Sequence, residues 1–252
     1  MALDVYFVLA SVAALLVGLS KGGLPTIGML AVPVLSMVMS PVKAAVLLLP
    51  IYVISDMVSV WLYRKNFSMP NLKVLVPASI LGIFIGWLTA AYTSDSAVKL
   101  LIGCIGIGFC LNMWLRQTPQ ATQGVDLKKG VFWGMLAGFT SFISHAGAPP
   151  FQVFVLPQRL PKAVFAGTAT LFFAIVNLVK VIPYQQLNPY TLADLTKAAW
   201  LIPIALVGTY LGAYLTKIIH DKWFFRWVQI ALMLVSIKLL VDGVLGLWPS
   251  TF

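Results

Sequence analysis

Lys21, His145 and Lys180 are basic or titratable side chains set inside apolar stretches, where membrane-type sequence carries few of either. Lys21 opens the run Lys21-Gly22-Gly23-Leu24-Pro25, and His145 opens His145-Ala146-Gly147-Ala148-Pro149. Each motif follows one apolar run and precedes another, and glycine and proline so placed break a helix. A cation at the centre of a bilayer-spanning helix costs roughly 2.5–3.5 kcal/mol on insertion scales, so such a group is expected to face a polar pathway or a ligand. The chemistry on offer is anion binding. Helix-starting N–H groups after a break lack intrahelical partners and sit at the positive end of the local dipole. Gly22, Gly23 and Gly147 would let an oxyanion approach that backbone with no Cβ in the way. Lys21 adds a full charge, and His145 adds a donor or a titratable charge.

Further polar groups extend the constellation. Asn177 and Lys180 are three apart and share one helix face, and Asn177 could donate to the oxygens of an anion. Ser144 borders the second break. Blander readings stand beside these: Lys21 and Lys180 could snorkel to an interface, and His145 could be a hydrogen-bonded structural imidazole. Asp56 is the only acid far from a span end in the first half. It reads either as carrier of a coupling proton, a role also open to His145, or as partner to a buried cation. Lys21 is read as having no structural partner, so Lys21→Ala is expected to spare the fold. Lys238 and Asp242, four apart, read as a local ion pair outside the site. Ser20-Lys21 and Ser144-His145 resemble nucleophile–base pairs, but helix neighbours do not face each other and no orienting carboxylate stands nearby in sequence. No enzyme is expected.

The elements that must position these groups are membrane helices. Of 252 residues, 60% are hydrophobic and only 10% charged, which suits a polytopic membrane protein and not a soluble domain. The net charge of +10 resides in short loops between apolar runs, so it reads as a topology signal, and no nucleic-acid partner is expected. All seven acids are Asp, which leaves little for a multi-carboxylate metal site; no metal or cofactor is expected. Cys104 and Cys110 do not read as a disulfide framework. Residues 1–20 lack the features of a cleavable signal and are read as retained.

Six runs reach the about 20 residues that a span needs: approximately 44–63, 70–92, 97–115, 162–183, 197–216 and 222–247. Regions 4–39 and 130–157 are pairs of shorter runs around the two breaks, each either two crossings or a re-entrant hairpin. Trp61, Tyr63, Tyr92, Trp200, Trp223 and Trp248 read as interfacial anchors. The halves repeat. Pro25 and Pro33 recur as Pro149 and Pro157, and Pro77, Gly82, Gly86 and Asp95 recur as Pro203, Gly208, Gly212 and Asp221. Residues 1–115 thus read as a first transmembrane repeat, 116–129 as a cytoplasmic linker, and 130–252 as a second repeat. The glycine pairs read as helix packing.

With loop 64–73 in the cytoplasm, eleven basic residues face in (Arg64, Lys65, Lys73, Arg116, Lys128, Lys129, Arg159, Lys162, Lys217, Lys222 and Arg226). Only Lys43, Lys99 and Lys197 face out. That orientation inverts the first half relative to the second, a common alternating-access design in which Lys21 and His145 are expected to approach one central cavity. The fold expected is an all-α polytopic membrane protein of two inverted repeats, each a broken pair plus three transmembrane helices.

The residues Gly18, Lys21-Gly22-Gly23 and Pro25, repeated as Gly134, Gly138, Ser141 and Ser144-His145-Ala146-Gly147-Ala148-Pro149-Pro150, resemble the TauE/SafE sulfite exporter family over essentially the whole chain. Many members have glycine where this chain has Ala148. The resemblance implies a multi-pass transporter of sulfite or an organosulfonate such as sulfoacetate in the bacterial cytoplasmic (inner) membrane. Its partners would be a small anion and the lipid bilayer. A passive anion channel and, behind it, an intramembrane hydrolase are the alternatives; the oligomeric state is left open.

Overall fold

A computed structural model describes residues 2–39, 41–115, 124–187 and 189–247. Trp248 and residues 116–123 of the expected linker lie outside them. Among the described residues every regular element is helical. Helix α1 (Ala2–Lys21) ends at the first break and is followed by a 3-10 turn (Ile27–Leu30) and the short α2 (Ala31–Leu35). Three long helices come next: α3 (Pro41–Tyr63), α4 (Met69–Thr89) and α5 (Asp95–Leu115). The order then recurs. Helix α6 (Leu127–Ser144) ends at the second break, α7 (Ala148–Val155) with a 3-10 turn (Leu156–Gln158) follows, and α8 (Lys162–Leu187), α9 (Leu192–Ile218) and α10 (Asp221–Leu247) complete the chain.

Among the described residues six helices are long and apolar enough to cross a membrane: α3, α4, α5, α8, α9 and α10. They fall where the six expected runs lie, and the protein is a multi-pass membrane protein. The broken pairs are unequal. Their first limbs have 20 and 18 residues, while α2 has 5 and α7 has 8. At 1.5 Å per residue the second limbs are about 8 and 12 Å long, too short to cross about 30 Å of hydrocarbon. Neither pair is therefore two full crossings.

The chain divides into two compact units that cut across the sequence halves. Unit 1 comprises Met1–Met69 and Pro161–Phe224, and so holds α1–α3, α8 and α9. Unit 2 comprises Pro70–Leu160 and Phe225–Phe252, and so holds α5, α6, α7 and most of α4 and α10. Unit 1 is built on small side chains. Ala10, Ala13, Ala14 and Val17 of α1 are buried together with Ala198, Leu201 and Ala205 of α9. Lipid offers no hydrophobic drive to bring two apolar helices together, so close backbone packing has to supply the attraction.

Glycine pairs four apart provide that closeness in both units. In unit 1, a Cβ added at Gly18 would lie 2.0 Å from the Ala205 carbonyl oxygen, and one at Gly212 would lie 2.6 Å from that of Leu19. In unit 2, the same addition at Gly82 would meet the Met135 oxygen at 2.0 Å, and at Gly138 the Ser79 oxygen at 2.0 Å. Each broken long helix (α1, α6) is thus seated backbone-to-backbone on a helix from the other sequence half (α9, α4). Gly82→Ala is expected to destabilise the purified protein by about 1–3 kcal/mol, because rigid backbone must retreat. Gly108→Ala, whose Cβ would meet nothing within 4 Å, is expected to be neutral or slightly stabilising. Thermal unfolding of the two variants side by side checks the pair.

Side-chain bonds hold the ends. Asn71 and Gln158, both buried in unit 2, exchange amide hydrogen bonds of 2.8 and 2.9 Å, tying the start of α4 to the turn after α7. In unit 1, Lys162 donates to the carbonyls of Lys217 (3.1 Å) and Ile219 and pairs with Asp221 at 3.3 Å, closing the C-terminus of α9. Lys162 therefore caps a helix end besides adding to the loop charge.

Candidate functional site

Helix α1 stops at Lys21 because the next residues cannot continue it. Gly23 has φ +113°, a left-handed conformation that side-chain-bearing residues rarely adopt, and Pro25 has no N–H to give. A lysine at this point is favoured by the negative end of the helix dipole. The carbonyls freed by the break are collected by three other helices of unit 1. Thr170 Oγ1 on α8 donates to Lys21 O at 3.2 Å. Gly22 O accepts from Tyr63 OH on α3 at 2.7 Å and from Thr216 Oγ1 on α9 at 3.1 Å. Tyr52 OH then donates to Gly28 O at 2.7 Å, fixing the 3-10 turn beyond.

The Lys21 side chain turns inward. Its Nζ lies 2.8 Å from Asp56 Oδ1, 5.0 Å from the centre of the Tyr52 ring and 5.8 Å from that of Phe173. The other Asp56 oxygen, Oδ2, accepts from Asn177 Nδ2 at 2.8 Å. Lys180, one turn beyond Asn177 on α8, is within Coulombic range of both Lys21 and Asp56. Relative exposures are 5% for Lys21, 3% for Asp56, 4% for Asn177 and 0% for Lys180, so none of the four snorkels to a surface. Two lysines face one carboxylate, a formal sum of +1 when all three are ionised. Burying such a set costs several kcal/mol per ion unless pairing and hydrogen bonds compensate, and a buried excess positive charge is suited to an anion.

The second break, in unit 2, is built differently. Helix α6 ends on His145, which takes the left-handed conformation (φ 52°) and is partly exposed. Thr140 closes the turn: its carbonyl accepts from Ala146 N at 3.2 Å, and its hydroxyl lies between Leu136 O at 2.8 Å and Ala146 O at 3.1 Å. Ser144 Oγ donates to Asp95 Oδ1 at 2.5 Å, and Asp95 pairs with Lys99 one turn along α5. Gly147 is buried and begins α7. Pro149 and Pro150 carry no N–H, and the amide of Phe151 is used by Gly147 O at 3.3 Å.

Of the residues singled out from sequence, the structure brings Lys21, Asp56, Asn177 and Lys180 together in unit 1, with Gly22 and Gly23 beside them. Ser144, His145 and Gly147 lie in unit 2. Three expectations need correction. Lys21 does have a structural partner, since Asp56 comes from a different helix and no local spacing could reveal the pair. Tyr63 is no interfacial anchor: it is buried and clamps the break, whereas Trp61, Tyr92, Trp200 and Trp223 are exposed. The amides of Gly22 and Gly23 do not await a ligand. They donate to Gly18 O at 2.9 Å and Ser20 O at 3.4 Å, so the two glycines serve close packing and the turn.

Sequence reasoning also passed over Tyr52 and Phe173. Both signals were present, because Tyr52 stands four residues before Asp56, and Phe173, Asn177 and Lys180 follow an i, i+4, i+7 face.

Residues 10–239 match the family described as Sulfite exporter TauE/SafE. No curated protein and no solved structure matches the chain.

Proposed function

From the premise that the chain belongs to the sulfite exporter TauE/SafE family, whose members are membrane transporters and not enzymes, we propose that it is a secondary transporter of a small sulfur-containing anion. The anion is sulfite or an organosulfonate such as sulfoacetate, and it crosses the bacterial cytoplasmic membrane by alternating access of two inverted repeats. The observation that carries this reading is the buried cluster of Lys21, Lys180, Asp56 and Asn177, which sets two lysines against one carboxylate inside the helix bundle. In it Lys21 and Lys180 supply charge, Asn177 a directional donor, and Gly22 and Gly23 the tight turn that aims Lys21. At the second break Ser144, His145 and Gly147 are the groups proposed to meet the anion, His145 being the titratable one.

The bonds made by the two serines support transport over hydrolysis. Ser20 Oγ donates to Val17 O at 2.7 Å and Ser144 Oγ to Asp95, so neither hydroxyl is bonded to the base that follows it in sequence. The recurring element order and the matched glycine seats of α1 and α6 support the repeat.

A binding screen of the purified protein against sulfite, sulfoacetate, taurine, sulfate and thiosulfate tests the substrate class. Saturable binding of at least one is expected, and binding of none by folded protein would remove the reading. The orientation follows from loop charge. A single cysteine at Lys65, in a background lacking Cys104 and Cys110, is expected to resist impermeant thiol reagents in intact cells and to react in inverted vesicles. Labelling from outside would reverse the topology.

A further inference from the structure

We infer that Asp56 is a tethered stand-in for the transported anion, and that each dianion bound at Lys21 and Lys180 enters together with one proton, which Asp56 takes up. This rests on the reading of that cluster as the anion site.

The geometry leaves Lys21 already engaged. One carboxylate oxygen stands 2.8 Å from its Nζ, and the faces of Tyr52 and Phe173 flank it at 5.0 and 5.8 Å. An incoming oxyanion must share the ammonium with a carboxylate fixed on α3. Two like charges at ~4 Å repel by about 4 kcal/mol at an effective dielectric near 20. A proton on Asp56 removes that repulsion without dismantling the site. The neutral carboxyl keeps an oxygen to accept the Asn177 amide and gains an O–H that can donate to the newcomer. The charge count points the same way: Lys21, Lys180 and ionised Asp56 sum to +1, and protonation raises the sum to +2, which neutralises a dianion.

Asp56 is the one carboxylate in the cluster, and Lys180 is the other group that could take up a proton. Asp56 is faced by Lys21 from α1 and by Asn177 and Lys180 from α8, with Tyr52 one turn away on its own helix. Helix α2 (Ala-Val-Pro-Val-Leu) has no titratable residue. On α9, Lys197, Tyr210, Tyr214 and Lys217 are exposed, and Asp194 is held by Thr191 at the first turn. The Tyr52 hydroxyl is committed to Gly28 O, and Lys180 is the rival acceptor; the carboxylate that already occupies Lys21 Nζ at 2.8 Å is the group whose charge the anion must displace, so the arriving proton is assigned to a carboxylate oxygen of Asp56. It comes from solvent on the side where the anion enters and returns to solvent where the anion leaves.

The test is titration calorimetry of the full-length protein with sulfoacetate and with sulfate, both dianions between about pH 5.5 and about pH 8. Repeating it in buffers of different ionisation enthalpy counts the protons. The wild type is expected to take up one proton per anion and to bind about tenfold more tightly for each pH unit lowered. Asp56→Asn keeps the acceptor for Asn177 but cannot ionise, and it is expected to bind with no proton uptake and no pH dependence. Wild-type binding without proton uptake overturns the inference, and so does Asp56→Asn with the wild-type pH slope. Lys180→Met removes the other possible proton acceptor and keeps Asp56, so it is expected to retain uptake of one proton per anion even if Asp56→Asn does not fold; loss of that uptake in folded Lys180→Met overturns the inference. Failure of folded wild type to bind either dianion at any pH would instead remove the anion-site reading on which the inference rests.

Discussion

Lys21→Ala is expected to destabilise the protein by about 3–5 kcal/mol, because it strands the Asp56 carboxylate in a buried site. The pair is 2.8 Å long and both side chains are almost fully buried, so the carboxylate loses its charged partner in a site that bulk solvent does not reach. Lys21→Met combined with Asp56→Leu is expected to restore most of the loss, since replacing a whole buried pair by apolar groups is often close to neutral. Anion binding separates the two roles of Lys21. The double variant should fold yet bind poorly, down by on the order of ten- to a hundredfold. Thermal unfolding in detergent, run beside the binding assay, checks both halves. Equal stability of Lys21→Ala and wild type would mean that Asp56 finds another partner and that the pair contributes nothing to the fold.

Lys180→Met is expected to weaken binding of a dianion by about ten- to a hundredfold and of a monoanion distinctly less. A unit charge at ~4 Å is worth about 4 kcal/mol at an effective dielectric near 20, desolvation offsets much of it, and the remainder scales with the charge on the ligand. Lys180 is wholly buried and close to Lys21, so its charge is poorly screened by solvent. Binding of sulfate and of methanesulfonate, a dianion and a monoanion, measured on the same preparations, reads the difference. Equal losses for both ligands would assign Lys180 a packing role.

Much of this architecture was legible because lipid simplifies the code. A span must satisfy its own backbone, so length and hydropathy alone locate it. The ends were less legible. Helix α8 runs through Pro183 to Leu187, and α9 begins at Leu192 behind a Thr191–Asp194 capping box, where the sequence reading left a loop up to Lys197. The site divided in the same way. Asn177 and Lys180 share a helix face and were found together, and Lys21 was found from the break that follows it. The Lys21–Asp56 pair joins α1 to α3, and the Tyr63 and Thr216 clamps on Gly22 reach from α3 and α9. Contacts between helices follow no residue spacing, so they stayed hidden until the chain was folded. The glycine seats lay between these cases: their spacing showed that something packs closely, and the fold shows that it is the backbone of the helix opposite.

The measurement that tests the central claim most directly is the position of a bound anion. Selenite, the heavier analogue of sulfite, can be located by its anomalous scattering in crystals of the full-length protein. The account predicts a selenium peak within hydrogen-bonding reach, through its oxygens, of Lys21 Nζ and Lys180 Nζ, and loss of that peak in crystals of the Lys21→Met, Asp56→Leu variant. A saturable selenite site elsewhere, with the Lys21–Asp56 pair intact and untouched, would contradict it.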